Sequence, residues 1–316
     1  MRMDTVAVVI PCYRVKNKIG SVLFSIPSFV TKIYIVDDLC PEESGKYIEE
    51  NFSDQRIKVI YNRVNMGVGG AVKEGYKLAL SDNCDIVVKI DGDGQMNGNL
   101  IPDLINPIIK RNADYVKGNR FFIPEDLRSM PFLRLVGNSA LSLINKIVNG
   151  YWDIMDPTNG FTAICKSALK GLPLDKIENR YFFESDMLFR LSLSRAVVAD
   201  MPMKAVYNDE KSSLNIKKVI LDFPPKYLNR YFKRIFYLYF LRDFTIASLE
   251  LFVGFLLFLF GIIFGFYKWY LSSNTGEVAS SGTVMLSALP IIIGFQLLLS
   301  ALNFDIQNVP KKPLNQ

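Results

Sequence analysis

The residues best suited to chemistry are Asp91-Gly92-Asp93-Gly94-Gln95, which follow the run Val87-Val88-Lys89-Ile90. Two carboxylates at i and i+2 converge on one cation only if the backbone turns sharply, and the glycines allow that turn. With the glutamine they form a set of hard oxygen donors. Such donors suit Mg²⁺ or Mn²⁺, ions that keep some waters and bind substrate phosphates. The bland alternative is a solvated turn, because Asp-Gly is a common turn dipeptide. The position of the pentapeptide in the fold decides between the two.

The surrounding pattern predicts an α/β domain. Strands are expected over residues 5–10, 32–36, 57–61, 84–90 and 115–118, with helices over 18–25, 41–51, about 65–80 and 100–112. Continuous apolar strands alternating with helices predict a parallel sheet covered on both faces. In such sheets ligands sit beyond the carboxyl ends of the strands. Tyr13, Asp37-Asp38, the glycine-rich 65–70 turn and the Asp91 turn all fall at such ends. That coincidence favours a site over a random turn. Downstream, a helix over 131–150 puts Arg134 and Asn138 one turn apart on one face. The 156–161 turn then leads into another strand, a helix begins near Phe183, a strand covers 197–206, and a polar loop over 208–214 holds Lys211.

The last quarter has a different character. Residues 251–267 and 278–304 carry no charge and are flanked by aromatic residues, as two membrane spans would be. Nine lysines and arginines between 204 and 242, with Lys311-Lys312 in the tail, place both flanks on the cytoplasmic side of a plasma or inner membrane. Ahead of the first span, Lys226, Arg230, Lys233 and Arg234 form a basic arc on a helical wheel. Aromatic residues fill the rest, a pattern that suits an interfacial helix on an anionic leaflet. Pro224-Pro225 mark a boundary. The expected domains are a catalytic unit over 1–219, a juxtamembrane amphipathic helix over 220–243, and a two-span hairpin with its tail over 244–316. Gly254, Gly261 and Gly265 offer a small-residue face through which the spans could pair into a homo-oligomer.

Composition narrows the chemistry. Among 316 residues there is no histidine, which removes imidazole bases, imidazole metal ligands and Ser/His triads. Cys12, Cys40, Cys84 and Cys165 lack zinc-type spacing. The start, Met1-Arg2-Met3-Asp4, runs straight into a strand, so no signal peptide is expected. A net charge of +6 fits a membrane surface or a phosphorylated substrate. Nucleic acid is excluded as a partner by the spans and by the lack of a basic-aromatic reading surface away from the membrane.

The segments VVIPCY, VDD, NMGVGGA, DGDGQ and GNR, with the Asp156 turn, resemble family 2 glycosyltransferases of the GT-A fold. The branch they are similar to is that of the polyprenyl-phosphate glycosyltransferases, dolichyl-phosphate mannose synthase among them. The resemblance covers residues 5 to about 214 and extends to the two-span tail. It implies a Rossmann-like, mostly parallel sheet and transfer of a sugar from a UDP- or GDP-linked donor to a polyprenyl phosphate, undecaprenyl or dolichyl, with inversion, on the cytoplasmic face and in service of cell-envelope glycan modification. By position it implies that Asp91, Asp93 and Gln95 serve the divalent cation and sugar diphosphate. Pro11, Tyr13, Asp37 and Asp38 match the nucleoside-holding positions, and Gly70 stands where the backbone passes the base. Arg120, Arg134 and Asn138 match the acceptor-phosphate pocket, and Lys211 lies in the loop that closes over the donor. Arg14-Val15-Lys16 stands where the family has an acidic residue, and Leu39-Cys40 replaces its Gly-Ser. Both departures touch the nucleoside end and leave the base open.

Elementary chemistry agrees with the implied acceptor. A hydroxyl needs a general base, whereas a lipid phosphate is already ionised near neutral pH. Arginines are suitable clamps for its oxygens. Other readings are transfer to a lipid-linked or polysaccharide hydroxyl, a processive synthase, and a non-catalytic membrane scaffold. The synthase reading lacks its Gln-x-x-Arg-Trp motif, since the tryptophans are Trp152 and Trp269. The scaffold reading has to discard an intact Asp91, Asp93 and Gln95 set.

Overall fold

A computed structural model describes residues 4–122, 132–204 and 216–314, the side chains of 132–134 and 216–220 apart. Lys211 and the side chain of Arg134 therefore lie outside the described residues. The chain divides into two compact units, Met1–Tyr231 with Pro310–Gln316, and Phe232–Val309.

The first unit is built on one seven-stranded sheet of order β3-β2-β1-β4-β6-β5-β7. In chain order its elements are β1 (Val6–Cys12), α1 (Ile19–Ser25), β2 (Lys32–Asp37), α2 (Ser44–Asn51), β3 (Ile57–Tyr61), α3 (Val68–Ser81), β4 (Ile86–Lys89), α4 (Ile101–Ile109) and β5 (Tyr115–Asn119). Then come α5 (Phe132–Asn149), β6 (Thr162–Cys165), α6 (Lys166–Lys170), α7 (Phe183–Ser194), β7 (Val198–Pro202) and α8 (Ile216–Phe236). Residues 6–10 and β4 are buried on both faces, which is why their sequences run apolar instead of alternating.

The expected parallel sheet forms, with one exception. β6 is antiparallel to both neighbours, β4 and β5. Its chain arrives through the excursion that holds α5, reaches the sheet at the carboxyl ends of β4 and β5, and can only run back down. The register leaves a recess in the rim. β4 stops at Lys89, opposite Val9 and Thr162, while β1 continues to Cys12 opposite Asp37. The Asp91 turn rises from that recess.

α5 has its polarity reversed. Ser142, Asn145 and Asn149 are buried, whereas Val136, Leu143, Ile144 and Ile147 are exposed. The buried amides meet α8: Asn145 Nδ2 donates to the Tyr227 hydroxyl at 2.9 Å, and Ser185 Oγ lies 3.1 Å from the same oxygen.

α8 departs from expectation twice. It runs through Pro224 and Pro225 without a break. Both prolines are on its exposed side, where the carbonyls left unpaired one turn earlier do not have to be satisfied by packed protein. The basic arc is largely turned inward. Lys226 bonds Glu178 at 2.8 Å, and Arg230 bonds Asp186 at 2.7 Å and Glu178 at 3.3 Å. The exposed side of α8 carries large apolar residues, Leu221, Leu228, Phe232 and Phe236, among a few polar ones such as Asp222, Asn229 and Lys233.

The second unit begins with the last turn of α8. There Arg234, 2% exposed, makes two bonds to Asp305 at 2.7 and 3.1 Å. A π-helical segment, Tyr237–Arg242, follows, and the Tyr239 hydroxyl donates to the same carboxylate at 2.5 Å. Then come α9 (Ile246–Thr275) and α10 (Ser281–Gln307), each long and apolar enough to cross a membrane. α9 is longer than the charge-free run 251–267, α10 is shifted three residues beyond 278–304 and takes in Asp305, and α10 carries Pro290 inside it.

The glycines of α9 are already in use. A Cβ on Gly254 would meet Gly294 and Leu297, one on Gly261 would meet Ser287 and Ile291, and one on Gly265 would meet Ser287. This small-residue face seats α10, so it is not the open oligomer surface the spacing predicts. Gly261→Leu is expected to force the pair apart at a cost of about 1–3 kcal/mol, seen as a lower thermal midpoint of the detergent-solubilised chain. An unchanged midpoint with loss of a dimer would return the face to oligomerisation.

Candidate active site

The rim recess gathers three segments far apart in sequence. From β4 comes Lys89, whose side chain is 1% exposed. Its Nζ lies 2.9 Å from Asp91 Oδ1, 3.2 Å from Glu184 Oε1 at the start of α7, and 3.2 Å from the Gly160 carbonyl. A buried ammonium is tolerated only when its charge is met, and here two carboxylates and a carbonyl surround it. Burial alone would push Lys89 down, but Asp91 and Glu184 outweigh it and hold the amine well above its ordinary range. A Cβ at Gly160 would meet both Asp91 Oδ2 and Lys89 Nζ, so any larger residue there would have to displace the pair.

The Asp91 turn is shaped around this point. Gly92 is buried against Val15, Ile19 and the Pro11 carbonyl, and Gly94 has φ +74°. Asp93 Oδ1 accepts the Gln95 amide at 3.0 Å. Burial and then the charge of Asp91 raise the Asp93 carboxyl above the usual range, an imbalance that a cation would relieve. Asp91, Asp93 and Gln95 are all half-buried, so the turn stays open.

The loop before β6 is held from its other flank by a second buried lysine. Lys117 of β5 donates to the Met155 carbonyl at 2.5 Å and the Gly118 carbonyl at 3.1 Å, and lies 3.4 Å from Asp200. Asp200 also accepts the Met155 amide at 2.8 Å and Asn119 Nδ2 at 2.8 Å. Between the two lysines stands Asp156, in the left-handed region at φ +52°. Its carboxylate takes Arg120 edge-on, with Nε at 2.7 Å and Nη2 at 2.7 Å. Burial pushes Asp156 up, yet the Arg120 guanidinium overrides it and holds the acid below the usual range.

The structure shows what three of the expected site residues touch. Asp37, expected at the nucleoside, is buried and accepts the Cys40 and Gly45 amides at 2.7 Å each. Asp38 is buried too, and holds Asn62 Nδ2 and the Met66 and Gly67 amides at 2.7–2.8 Å. These carboxylates anchor loop backbone. Gly70 packs under Met66 and donates to the Asn179 carbonyl at 3.0 Å, so its smallness serves packing. Pro11 remains half-buried at the rim and Tyr13 stays exposed, with Arg14 over its ring at 5.4 Å. Asn138 is half-buried on α5, while Arg120 reaches the rim already bound to Asp156.

Two functional side chains escape a reading of the strands as apolar. Lys89 ends a buried strand and Lys117 stands in the middle of another, and a charge in such a run signals partners elsewhere.

A family model, Glycosyl transferase family 2, matches residues 7–172, more than half of the chain. The chain belongs to this family and is a glycosyltransferase. The UDP-N-acetylglucosamine–dolichyl-phosphate N-acetylglucosaminyltransferase of Methanococcus voltae is 30% identical over 215 residues, 64% of this chain and 85% of that protein. The undecaprenyl-phosphate mannosyltransferase of Micrococcus luteus is 28% identical over 176 residues, 55% of this chain and 71% of that one. Among solved structures, glucosyl-3-phosphoglycerate synthase of Mycobacterium tuberculosis, in complex with Mn²⁺, UDP-glucose and phosphoglyceric acid, shares the α/β GT-A fold. Its TM-score is 0.53 at 17% identity, over 73% of this chain and 80% of that one.

Arg120→Met would strand the Asp156 carboxylate in its buried turn, and should cost about 3 kcal/mol as the breaking of a buried pair does. Because the folded acid is depressed, its stabilising share is present above the ordinary aspartate range and is lost as pH falls below it. Acid titration of unfolding should show a shallower acid limb in Asp156→Asn than in the unaltered chain.

Proposed function

We propose that the protein moves a sugar from a nucleotide diphosphate donor to the phosphate of a polyprenyl lipid, with inversion, at the cytoplasmic face of a membrane. The observation that carries this reading is the joining, in one chain, of the Asp91–Gln95 turn to two helices of membrane length. Both named relatives act on polyprenyl phosphates by their names, which supports the acceptor class. The reversed polarity of α5 and the apolar outer side of α8 support a catalytic unit that rests on lipid, since contiguous exposed apolar surface marks an interaction face. That face replaces the basic arc as the reason to place α8 at the interface.

The donor set fits a hard divalent cation. Asp93 and Gln95 would hold it, with the charge of Asp91 beside them, and the small number of protein oxygens leaves room for phosphate oxygens and water. When bound, Mg²⁺ or Mn²⁺ neutralises charge building on the leaving diphosphate. Tyr13, exposed at the end of β1, offers a stacking platform for the base, and Pro11 forms the wall beside it.

The carboxylates argue for the acceptor. Asp91 and Glu184 share Lys89, and Asp156 is committed to Arg120, so none of the three stands ready as a base for a hydroxyl. An acceptor phosphate brings its own negative oxygen. That oxygen attacks the anomeric carbon, the new C–O bond forms as the bond to the diphosphate breaks, and the diphosphate leaves with the electron pair. Arg120 and Asn138, with Arg134 on the same helix, would orient the phosphate. The chain leaves the first unit after Tyr231 and returns to it at Pro310, which supports a hairpin whose two ends lie on one side of the membrane.

Membranes containing the chain, given UDP- and GDP-linked sugars with labelled sugar and undecaprenyl or dolichyl phosphate, should yield a lipid-linked monosaccharide with one donor. Product should require Mg²⁺ or Mn²⁺ and fall at least a hundredfold in Asp93→Ala. No product from any donor would sink the proposal.

A further inference from the structure

We propose that Lys89, held in place by Glu184, is a positioning residue that divides the labour of the two aspartates: it commits Asp91 to the inner wall of the site and leaves the cation to Asp93 and Gln95. The inference rests on the proposed donor chemistry and goes beyond it, since none of that chemistry requires a lysine behind the turn.

The geometry makes the case. Asp91 and Asp93 are separated by one glycine, and nothing in their types distinguishes them as ligands. What separates them is the ammonium 2.9 Å from Asp91 and hydrogen-bonded to two further partners. Lys89 is buried on a central strand whose neighbours fix its backbone on both sides, opposite Val9 and Thr162. Gly160 lets the pair lie close to its backbone, since a Cβ there would meet both Lys89 Nζ and Asp91 Oδ2. Glu184, half-buried at the start of α7, takes the amine from the other side. Charge completes the argument. Asp91, Asp93 and Glu184 bring three carboxylates to one recess, and the lysine cancels one negative charge from inside. Without it the full charge would fall on an incoming cation, and Asp91 would turn to that cation instead of staying on the wall. The pairing therefore keeps the metal loosely enough held to travel with the diphosphate and keeps Asp91 available to the sugar.

The test uses the full chain in detergent. Lys89→Met keeps the length of the side chain and removes its charge. Mn²⁺ titrated into the chain without donor should bind about tenfold more tightly than in the unaltered protein, the direction expected when a nearby cation is removed. Transfer should fall about a hundredfold in kcat with a smaller change in the donor KM. A merely structural lysine predicts the opposite sign, weaker Mn²⁺ binding alongside a lower thermal midpoint, and that result would overturn the proposal. Because Lys89→Met leaves Glu184 buried without its partner, the double variant Lys89→Met with Glu184→Gln supplies a second reading. It should fold with a midpoint near that of the unaltered chain and still transfer slowly. A double variant that turns over normally would show that the pair satisfies only itself, and would overturn the proposal as well. The Mn²⁺ arm needs no lipid. An unaltered chain that binds Mn²⁺ and UDP but loads no polyprenyl phosphate counts against the acceptor alone, and tightened Mn²⁺ binding in Lys89→Met then still upholds the lysine.

Discussion

A single ammonium deep in a sheet sets the terms for this site. Lys89 sits where a central strand ends, and a buried charge has to gather partners or the strand does not form there. It draws them from its own turn, from the loop before β6 and from the first turn of α7. Those segments are 71 and 95 residues away in sequence. Lys117 repeats the arrangement one side over, so the 155–160 loop hangs between two buried amines. The antiparallel entry of β6 makes this possible, because it delivers that loop to the rim and not to the foot of the sheet.

The same economy of charge governs the way α8 is seated. Its cations look like ligands for lipid headgroups, yet Glu178 and Asp186 take Lys226 and Arg230, and Asp305 takes Arg234. Asp186 is buried and also accepts the Glu178 amide and bonds Arg190. The loop that carries Glu178 lies on the glycine turn at Gly69 and Gly70. Segments that seat α8 and segments that shape the rim are thus parts of one packed body within the first unit.

Sequence and structure part company along a consistent line. The Asp91 turn, the alternation of strands and helices and the two long apolar helices are all local patterns, and all could be read directly. Partnerships across long separations could not. Asp37 and Asp38 stand at a strand end, where spacing cannot tell a carboxylate aimed at a ligand from one folded back on loop amides. The basic arc of α8 was visible on the wheel, but the acids that face it lie 44 to 71 residues away. The glycines of α9 were visible as a small face, but not that α10 fills it. Pro224-Pro225 resembled a boundary because composition does not show which side of a helix is exposed. Lys89 was passed over inside an apolar run, although an unpaired charge in a strand was the one local sign of a distant partner.

The C-terminal tail gives the architecture a further meaning. After α10 the chain returns to the first unit, where the Leu314 amide donates to both oxygens of the fully buried Asp114 at 2.9 and 3.0 Å, and Pro313 is buried. The catalytic body is therefore on two leads and not on one. A body on a single flexible lead can spin and tumble, and it samples many headings for every productive one. If the hairpin spans a bilayer as proposed, the encounter with acceptor becomes a search by lateral diffusion in a plane that enzyme and lipid share.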